Sequence, residues 1–100
     1  MSHPLDRVQL MRYYEEVLAQ SARNYGFTQD KKWEQRYRTI EPESDKLLKE
    51  SIKTCSKEDL EFFELMDKTN QEMVEMEYRS IELVNSGKAN DVISLLESEE

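Results

Sequence analysis

The sequence predicts an all-α fold, an antiparallel bundle of three long helices followed by a short fourth. Apolar residues recur every three or four positions through most of the 100 residues, which is the spacing that places them on one helix face. Only two glycines and two prolines are present, so few residues favour turns. Apolar residues make up 37% of the chain and charged residues 36%, as expected for helices with one buried and one solvated face. A chain of this length forms one domain, and we assign residues 1–100 to it.

The first helix is predicted over residues 5–25. It begins after Pro4, and Gly26 is of the residue type that ends helices most readily. Its wide inner face consists of Leu10, Met11, Tyr14, Val17, Leu18, Ser21, Ala22 and Tyr25. A short connector follows, in which either Thr28 or Asp30 is expected to cap the next helix.

The second helix is predicted over residues 30–54. Its inner positions follow steps of four and three: Trp33, Tyr37, Ile40, Ser44, Leu47 and Ser51. This phase passes through Pro42 without a break. Because a proline inside a helix removes one hydrogen bond and usually bends the helix, we expect one helix kinked near Pro42 rather than two separate helices.

The third helix, predicted over residues 57–86, is the most informative element. Ser56 followed three positions later by Asp59 is typical of a helix start, and Gly87 is a favourable end. Two apolar stripes run side by side, one formed by Phe62, Met66, Met73, Met76 and Leu83, the other by Phe63, Val74, Ile81 and Val84. Asp67, Asn70 and Glu77 interrupt this broad face at helical spacing. We therefore expect acid and amide groups inside the bundle.

The fourth helix is predicted over residues 89–97 and is short. Its apolar residues are Val92, Ile93, Leu95 and Leu96. Three long helices and one short helix leave one side of the bundle poorly covered, and exposed apolar surface of that kind usually contacts a partner. Either the chain dimerises, or the natural protein continues beyond Glu100 and supplies the missing helix. We expect a homodimer in both cases.

The charge and the chemical inventory exclude several functions. A net charge of −8 repels nucleic-acid phosphates and anionic lipid, and no apolar run approaches the roughly 20 residues of a membrane span. The lone Cys55 can form no intrachain disulfide and has no local base. His3, the only histidine, is near the start, so di-iron sites and histidine triads are excluded. We expect no catalytic residue, no metal and no cofactor.

Several short segments carry a resemblance to a known family. They are Ser21-Ala22-Arg23, Lys32-Trp33-Glu34-Gln35-Arg36-Tyr37, Asp67-Lys68-Thr69-Asn70, Val74-Glu75-Met76-Glu77, Leu83-Val84-Asn85-Ser86-Gly87-Lys88-Ala89 and Leu95-Leu96-Glu97-Ser98. In this order and spacing they resemble a helical-bundle input domain of prokaryotic signalling proteins. Such domains precede histidine kinase, diguanylate cyclase, PAS or chemoreceptor modules, so the resemblance implies an output module in the same or another chain. Many members lie between two membrane spans. Since none is present here, we expect a cytoplasmic location, with an extracytoplasmic segment of a membrane-anchored protein as the alternative.

Seven residues are candidates for ligand binding: Arg23, Trp33, Arg36, Tyr37, Asp67, Asn70 and Glu77. The polar residues of the third helix could form a pocket bridged by a small ligand or by the two arginines, or a structural network that fixes helix register. The two aromatic residues could line a ligand site with Arg36 binding a carboxylate, or could anchor the core. Arg23 could bind a ligand or stabilise the C-terminal end of its helix.

The sequence thus predicts a non-catalytic sensory or signal-transmitting input domain. In the expected mechanism, a signal changes how the helices pack around Asp67, Asn70 and Glu77, and a small slide or rotation reaches a dimeric output module. The alternative is a dimerisation or scaffold module that binds no ligand.

Overall fold

The computed structural model of the protein describes residues 4–88, within which the chain forms three α-helices and no strand. These are α1 (Pro4–Thr28), α2 (Lys31–Thr54) and α3 (Lys57–Asn85). Short connections make consecutive helices antiparallel, so α1 and α3 run in the same direction. The all-helical bundle is confirmed, whereas the predicted fourth helix lies outside the described residues.

α1 continues past the point where the sequence predicts its end. Gly26 is buried within the helix, and the chain leaves the helix at Gln29, which has a left-handed φ of 57°. The backbone N–H of Gln29 donates to the carbonyl of Tyr25 at 2.8 Å, and its side chain donates to the carbonyl of Gly26 at 2.7 Å. These bonds satisfy carbonyls that a helix end would leave unpaired, which explains why a residue other than glycine ends α1.

The remaining helix ends follow the local signals in the sequence. Asp30 caps α2 by accepting a hydrogen bond from the N–H of Lys32 at 3.0 Å, so the second of the two expected caps is the one used. Ser56 caps α3 through the N–H of Asp59 at 3.3 Å. Gly87, with a φ of 79°, follows the end of α3. Its position permits the backbone bonds that close many helices, from Lys88 to Leu83 and from Gly87 to Val84.

α2 passes through Pro42 as one continuous helix, which confirms the single helix, while the kink near Pro42 stays a prediction. Pro42 is exposed, so its ring projects away from the helix contacts, while Ser44 in the next half-turn is buried. The helical phase is therefore kept on the inner side of α2 in spite of the missing N–H.

Buried positions repeat every seven residues along each helix. They are Met11, Leu18 and Tyr25 on α1, Tyr37, Ser44 and Ser51 on α2, and Phe63, Asn70, Glu77 and Val84 on α3. This heptad repeat is the spacing of helices that pack with a shallow left-handed crossing.

The buried apolar residues form two clusters, one toward each end of the bundle. We call the first the upper cluster, which consists of Leu18, Ala22, Tyr25, Tyr37, Ile81 and Val84. The second is the lower cluster, formed by Met11, Leu48 and Phe63. Asn70 and Glu77 occupy the α3 heptad positions between Phe63 and Val84. The core is therefore polar between the upper and lower clusters, and we call this part the polar seam.

Candidate functional site

A hydrogen bond between two buried side chains joins α2 to α3. The Tyr37 hydroxyl donates to Oε1 of Glu77 at 2.9 Å, and the two residues are 0% and 2% exposed. Burial, followed by the charge of Glu77, raises the pKa of the Tyr37 phenol, so the hydroxyl keeps its proton and remains a donor. A carboxylate this deeply buried requires donors, and Tyr37 supplies one from the neighbouring helix.

The contact between these helices extends to Tyr78 and Glu41. The Tyr78 ring packs edge-on against Tyr37 with 5.2 Å between centroids, and its hydroxyl donates to Oε1 of Glu41 at 3.1 Å. Burial, and then the charge of Glu41, raises the pKa of Tyr78. The Arg38 guanidinium lies over the Tyr78 ring, 5.5 Å from its centroid. The predicted site omitted Tyr78 and Glu41, although the i,i+4 spacing of Tyr37 and Glu41 places both on one side of α2.

A small cavity of about 60 Å³ separates α1 from α3 beside Glu77. Its lining consists of Glu15, Leu18, Thr69, Asn70, Met73 and Glu77. Asn70 is 4% exposed, and its carboxamide has no hydrogen-bonding partner among the described residues. The amide can therefore form hydrogen bonds to water or to a polar ligand in the cavity. The cavity has room for water, and it is much smaller than the roughly 300–1,000 Å³ of drug-sized ligand pockets, so a ligand there must be very small.

Glu15 contributes a second carboxyl group to this cavity. Burial raises its pKa, and the charge of Arg12 partly offsets that effect. The sequence analysis did not single out Glu15, because the residues near it on α1 include both polar and apolar ones. Its position beside α3 depends on the tertiary fold. With Thr69, Asn70 and Glu77 it gives the cavity two carboxyl groups, an amide and a hydroxyl.

Asp67 is held at a different point on the α2–α3 contact. Its Oδ2 accepts from Lys49 at 2.6 Å and from Gln71 at 3.0 Å, while Oδ1 is buried without a hydrogen bond. Lys49 also lies 3.8 Å from Asp45. Asp67 therefore belongs to an ion pair at the edge of the seam, and it does not line the cavity beside Asn70.

Arg23 and Arg36 line an open cleft of about 630 Å³ on the outer side of α1. Tyr13, Glu16, Gln20 and Asn24 complete most of its wall, and both arginines are exposed. Trp33 packs against the upper cluster, with the Lys32 ammonium 5.2 Å from its ring centroid. Of the seven predicted residues, the structure thus brings together Tyr37, Asn70 and Glu77, while Asp67, Trp33 and the two arginines lie at three other places.

A polar cluster closes the upper end of the bundle around Glu34. The Glu34 carboxylate accepts from Lys31, Arg38 and Asn85, and Oδ1 of Asn85 in turn accepts from Tyr25 and Lys31. The hydrogen bond from Asn85 lowers the pKa of Glu34 to about 2, with Lys31 and Arg38 acting in the same direction against the effect of burial. Tyr25, Glu34 and Asn85 come from different helices, so this cluster fixes α1, α2 and α3 relative to one another.

Residues 4–88 contain no group of three or more His, Cys, Asp or Glu side chains placed to hold a metal ion. None of the helices in this range combines the length and the apolar character needed to cross a lipid bilayer.

The fold and the site define a three-helix bundle whose core contains a polar seam and a small polar cavity. Comparison with protein-family models, with curated proteins and with solved structures finds no match. The resemblance to prokaryotic input domains therefore stays a prediction.

Proposed function

We propose that this chain is a non-catalytic sensory domain that binds a small polar ligand between α1 and α3 and transmits the event as a change in helix packing. The observation that carries the proposal is the carboxamide of Asn70, which is buried, has no partner among residues 4–88 and lines the α1–α3 cavity. A polar ligand in the cavity can donate to and accept from this amide, which has both kinds of group.

Glu77 links ligand binding to the packing of the helices. Its side chain lines the cavity on the α1 side and accepts a hydrogen bond from Tyr37 on the α2 side. A ligand in the cavity that donates to the Glu77 carboxylate draws this side chain toward α1 and so lengthens its hydrogen bond from Tyr37. Binding therefore weakens the α2–α3 contact while it strengthens the α1–α3 contact, and α3 shifts relative to α2.

A thermal-shift screen with small polar metabolites tests this function, and the two possible ligand sites have separate variants. A ligand at 100 times its dissociation constant stabilises a protein by about 2.7 kcal/mol, which raises the melting temperature of a small domain measurably. We expect the effect of a true ligand to disappear in Asn70→Leu and to persist in Arg36→Ala. The reverse pattern would assign the ligand to the outer cleft and would refute the proposed site.

The second candidate is a dimerisation or scaffold module without a ligand. It is favoured by the partial exposure of the α3 stripe that begins at Phe62 and by the neighbouring Leu65, which is also exposed. For such a module, the melting temperature depends on protein concentration and not on metabolites. The same thermal-shift assay, repeated over a range of protein concentrations, therefore separates the two candidates.

A further inference from the structure

The α1–α3 cavity is lined by negatively charged residues and by no positively charged one. Glu15 reaches it from α1 and Glu77 from α3, and none of its six lining residues is Lys, Arg or His. Arg12, whose charge acts on Glu15, is exposed and does not line the cavity. The protein as a whole has a net charge of −8. An anionic ligand is therefore repelled from this cavity, whereas a cation is attracted.

Burial makes both carboxyl groups sensitive to a nearby cation. Glu77 is 2% exposed, and burial raises the pKa of Glu15 because its ionised form has lost part of its hydration. A positive charge within about 4–6 Å of a carboxylate favours the ionised form and so offsets that loss. The hydroxyl of Tyr37 donates to Glu77 from the α2 side, but it is neutral and supplies no positive charge.

The cavity also offers several hydrogen-bond acceptors to one small donor. Thr69 and Asn70 add a hydroxyl oxygen and an amide oxygen to the carboxylates of Glu15 and Glu77. Asn70 is 4% exposed, and its carboxamide has no hydrogen-bonding partner among residues 4–88. An ammonium group carries three or more N–H donors on one positive charge, so it can donate to several of these oxygens at once.

The volume and the apolar part of the lining limit the size of the ligand. The cavity measures about 60 Å³, whereas about 10–15 Å³ holds one water, so it has room for only a few non-hydrogen atoms. Leu18 and Met73 form an apolar part of its wall. A short alkyl group fits against such a wall while its polar end faces the acceptors.

We propose that the α1–α3 cavity binds a small primary ammonium cation. Its N–H groups donate to Glu15, Asn70 and Glu77, and its alkyl group packs against Leu18 and Met73. This assignment rests on the proposed sensory function for the place of the site, and it adds the charge, the size and the donor groups of the ligand. A cation that donates to Glu77 from the α1 side also draws the carboxylate away from Tyr37, as the proposed mechanism requires.

An NMR titration of the 100-residue chain tests the class of ligand. The probe is methylammonium chloride, compared at equal ionic strength with potassium chloride, which has the charge without N–H donors. Methanol is the neutral comparison, because it has the same number of non-hydrogen atoms. A ligand of two such atoms binds in the roughly millimolar range at best, so the titration extends to about 100 mM. We expect methylammonium alone to shift the backbone amide resonances around Asn70 and Glu77 in a saturable way.

Glu15→Gln tests the charge of the cavity without altering the size of the side chain. It should raise the dissociation constant of methylammonium at least about fivefold, since it removes one of the two negative charges beside the ligand. Glu16→Gln is the matched control, because it makes the same change at the next residue, which is exposed and lines the outer cleft. This control should leave the dissociation constant unchanged, whereas Asn70→Leu should abolish saturable binding.

Several outcomes would overturn the ammonium assignment. They are an absence of saturable binding by methylammonium, equal binding of potassium or methanol, and an effect of Glu15→Gln no larger than that of Glu16→Gln. A neutral molecule that binds in an Asn70-dependent way would overturn this assignment and leave the sensory function intact. A metabolite screen that finds no Asn70-dependent ligand of any charge refutes the sensory function itself, so the two proposals fail separately.

Discussion

Removal of the Tyr37 hydroxyl should destabilise the protein more than any comparable loss of a hydroxyl group from its surface. Tyr37→Phe deletes one atom and leaves the Glu77 carboxylate, which is 2% exposed, without its donor from α2. A hydrogen bond to a charged group contributes about 1.5–3 kcal/mol, so we expect the free energy of unfolding to fall by about 2 kcal/mol. For a domain of this size, that corresponds to a decrease of roughly 8–16 °C in melting temperature.

A double-mutant cycle isolates the contribution of this pair. Glu77→Leu leaves the Tyr37 hydroxyl buried without its acceptor and should also destabilise by about 2 kcal/mol. The variant with both changes contains neither the hydroxyl nor the carboxylate of this bond, so its loss should be smaller than the sum of the single losses by about 2 kcal/mol. Urea unfolding followed by circular dichroism at pH 7 measures all four proteins.

Tyr13→Phe provides the control for the cycle. Tyr13 is 54% exposed on α1, so its substitution by Phe removes the same hydroxyl from an exposed side chain. We expect the free energy of unfolding to change by no more than about 0.5 kcal/mol. If Tyr37→Phe lowers the free energy of unfolding as little as Tyr13→Phe, the Tyr37–Glu77 bond does not hold α2 to α3. The same conclusion follows if the effects of the two core substitutions are additive. The mechanism proposed for the sensory function would then lose its physical basis.

Three further predictions concern single sites. Because the folded-state pKa of Glu34 is about 2, against an ordinary value of 4.5, its ionised form stabilises the fold above pH 4.5, and this contribution is lost as the pH falls towards 2. In urea unfolding at several pH values, the free energy of unfolding of Glu34→Gln should depend less on pH in that window than that of the parent protein. An equal pH dependence in the two proteins would contradict this. Pro42→Ala should stabilise the protein by about 1–2 kcal/mol by restoring an N–H inside α2, and a loss of stability in urea unfolding would show that the proline fits its site. Ser56→Ala should destabilise it by about 1 kcal/mol through loss of the α3 cap, which a melting temperature equal to that of the parent protein would refute.

Local signals were sufficient to predict most of the fold. Ser56 caps α3, Gly87 follows its end, and α2 continues through Pro42, because each outcome depends on residues within one or two turns. Gly26 shows where this approach ends. Glycine weakens a helix by only about 1 kcal/mol, and burial of Tyr25 beside it, together with the hydrogen bonds of Gln29, extends α1 beyond that point.

The candidate site was harder to predict, since helical spacing identifies a face but not the partner across it. Asp67, Asn70 and Glu77 share one broad face of α3, yet Asp67 pairs with Lys49 of α2 while Asn70 lines the cavity next to α1. Opposite charge suggested arginine as a partner of the buried acid, and the structure shows a donor that the sequence analysis did not pair with Glu77, the hydroxyl of Tyr37. The donor that reaches a buried carboxylate depends on how two helices are rotated about their axes. A rotation by one residue position, about 100°, brings a different side chain to the contact.

The middle of the bundle is the part best suited to move. Its ends are fixed by the lower cluster and by the polar cluster around Glu34, whereas Asn70 in between borders a cavity. A ligand at Asn70 therefore acts on the part of α3 between its two fixed ends. Glu77 lies about two turns further along α3 and accepts a hydrogen bond from Tyr37 of α2, so a shift of this segment reaches the α2–α3 contact.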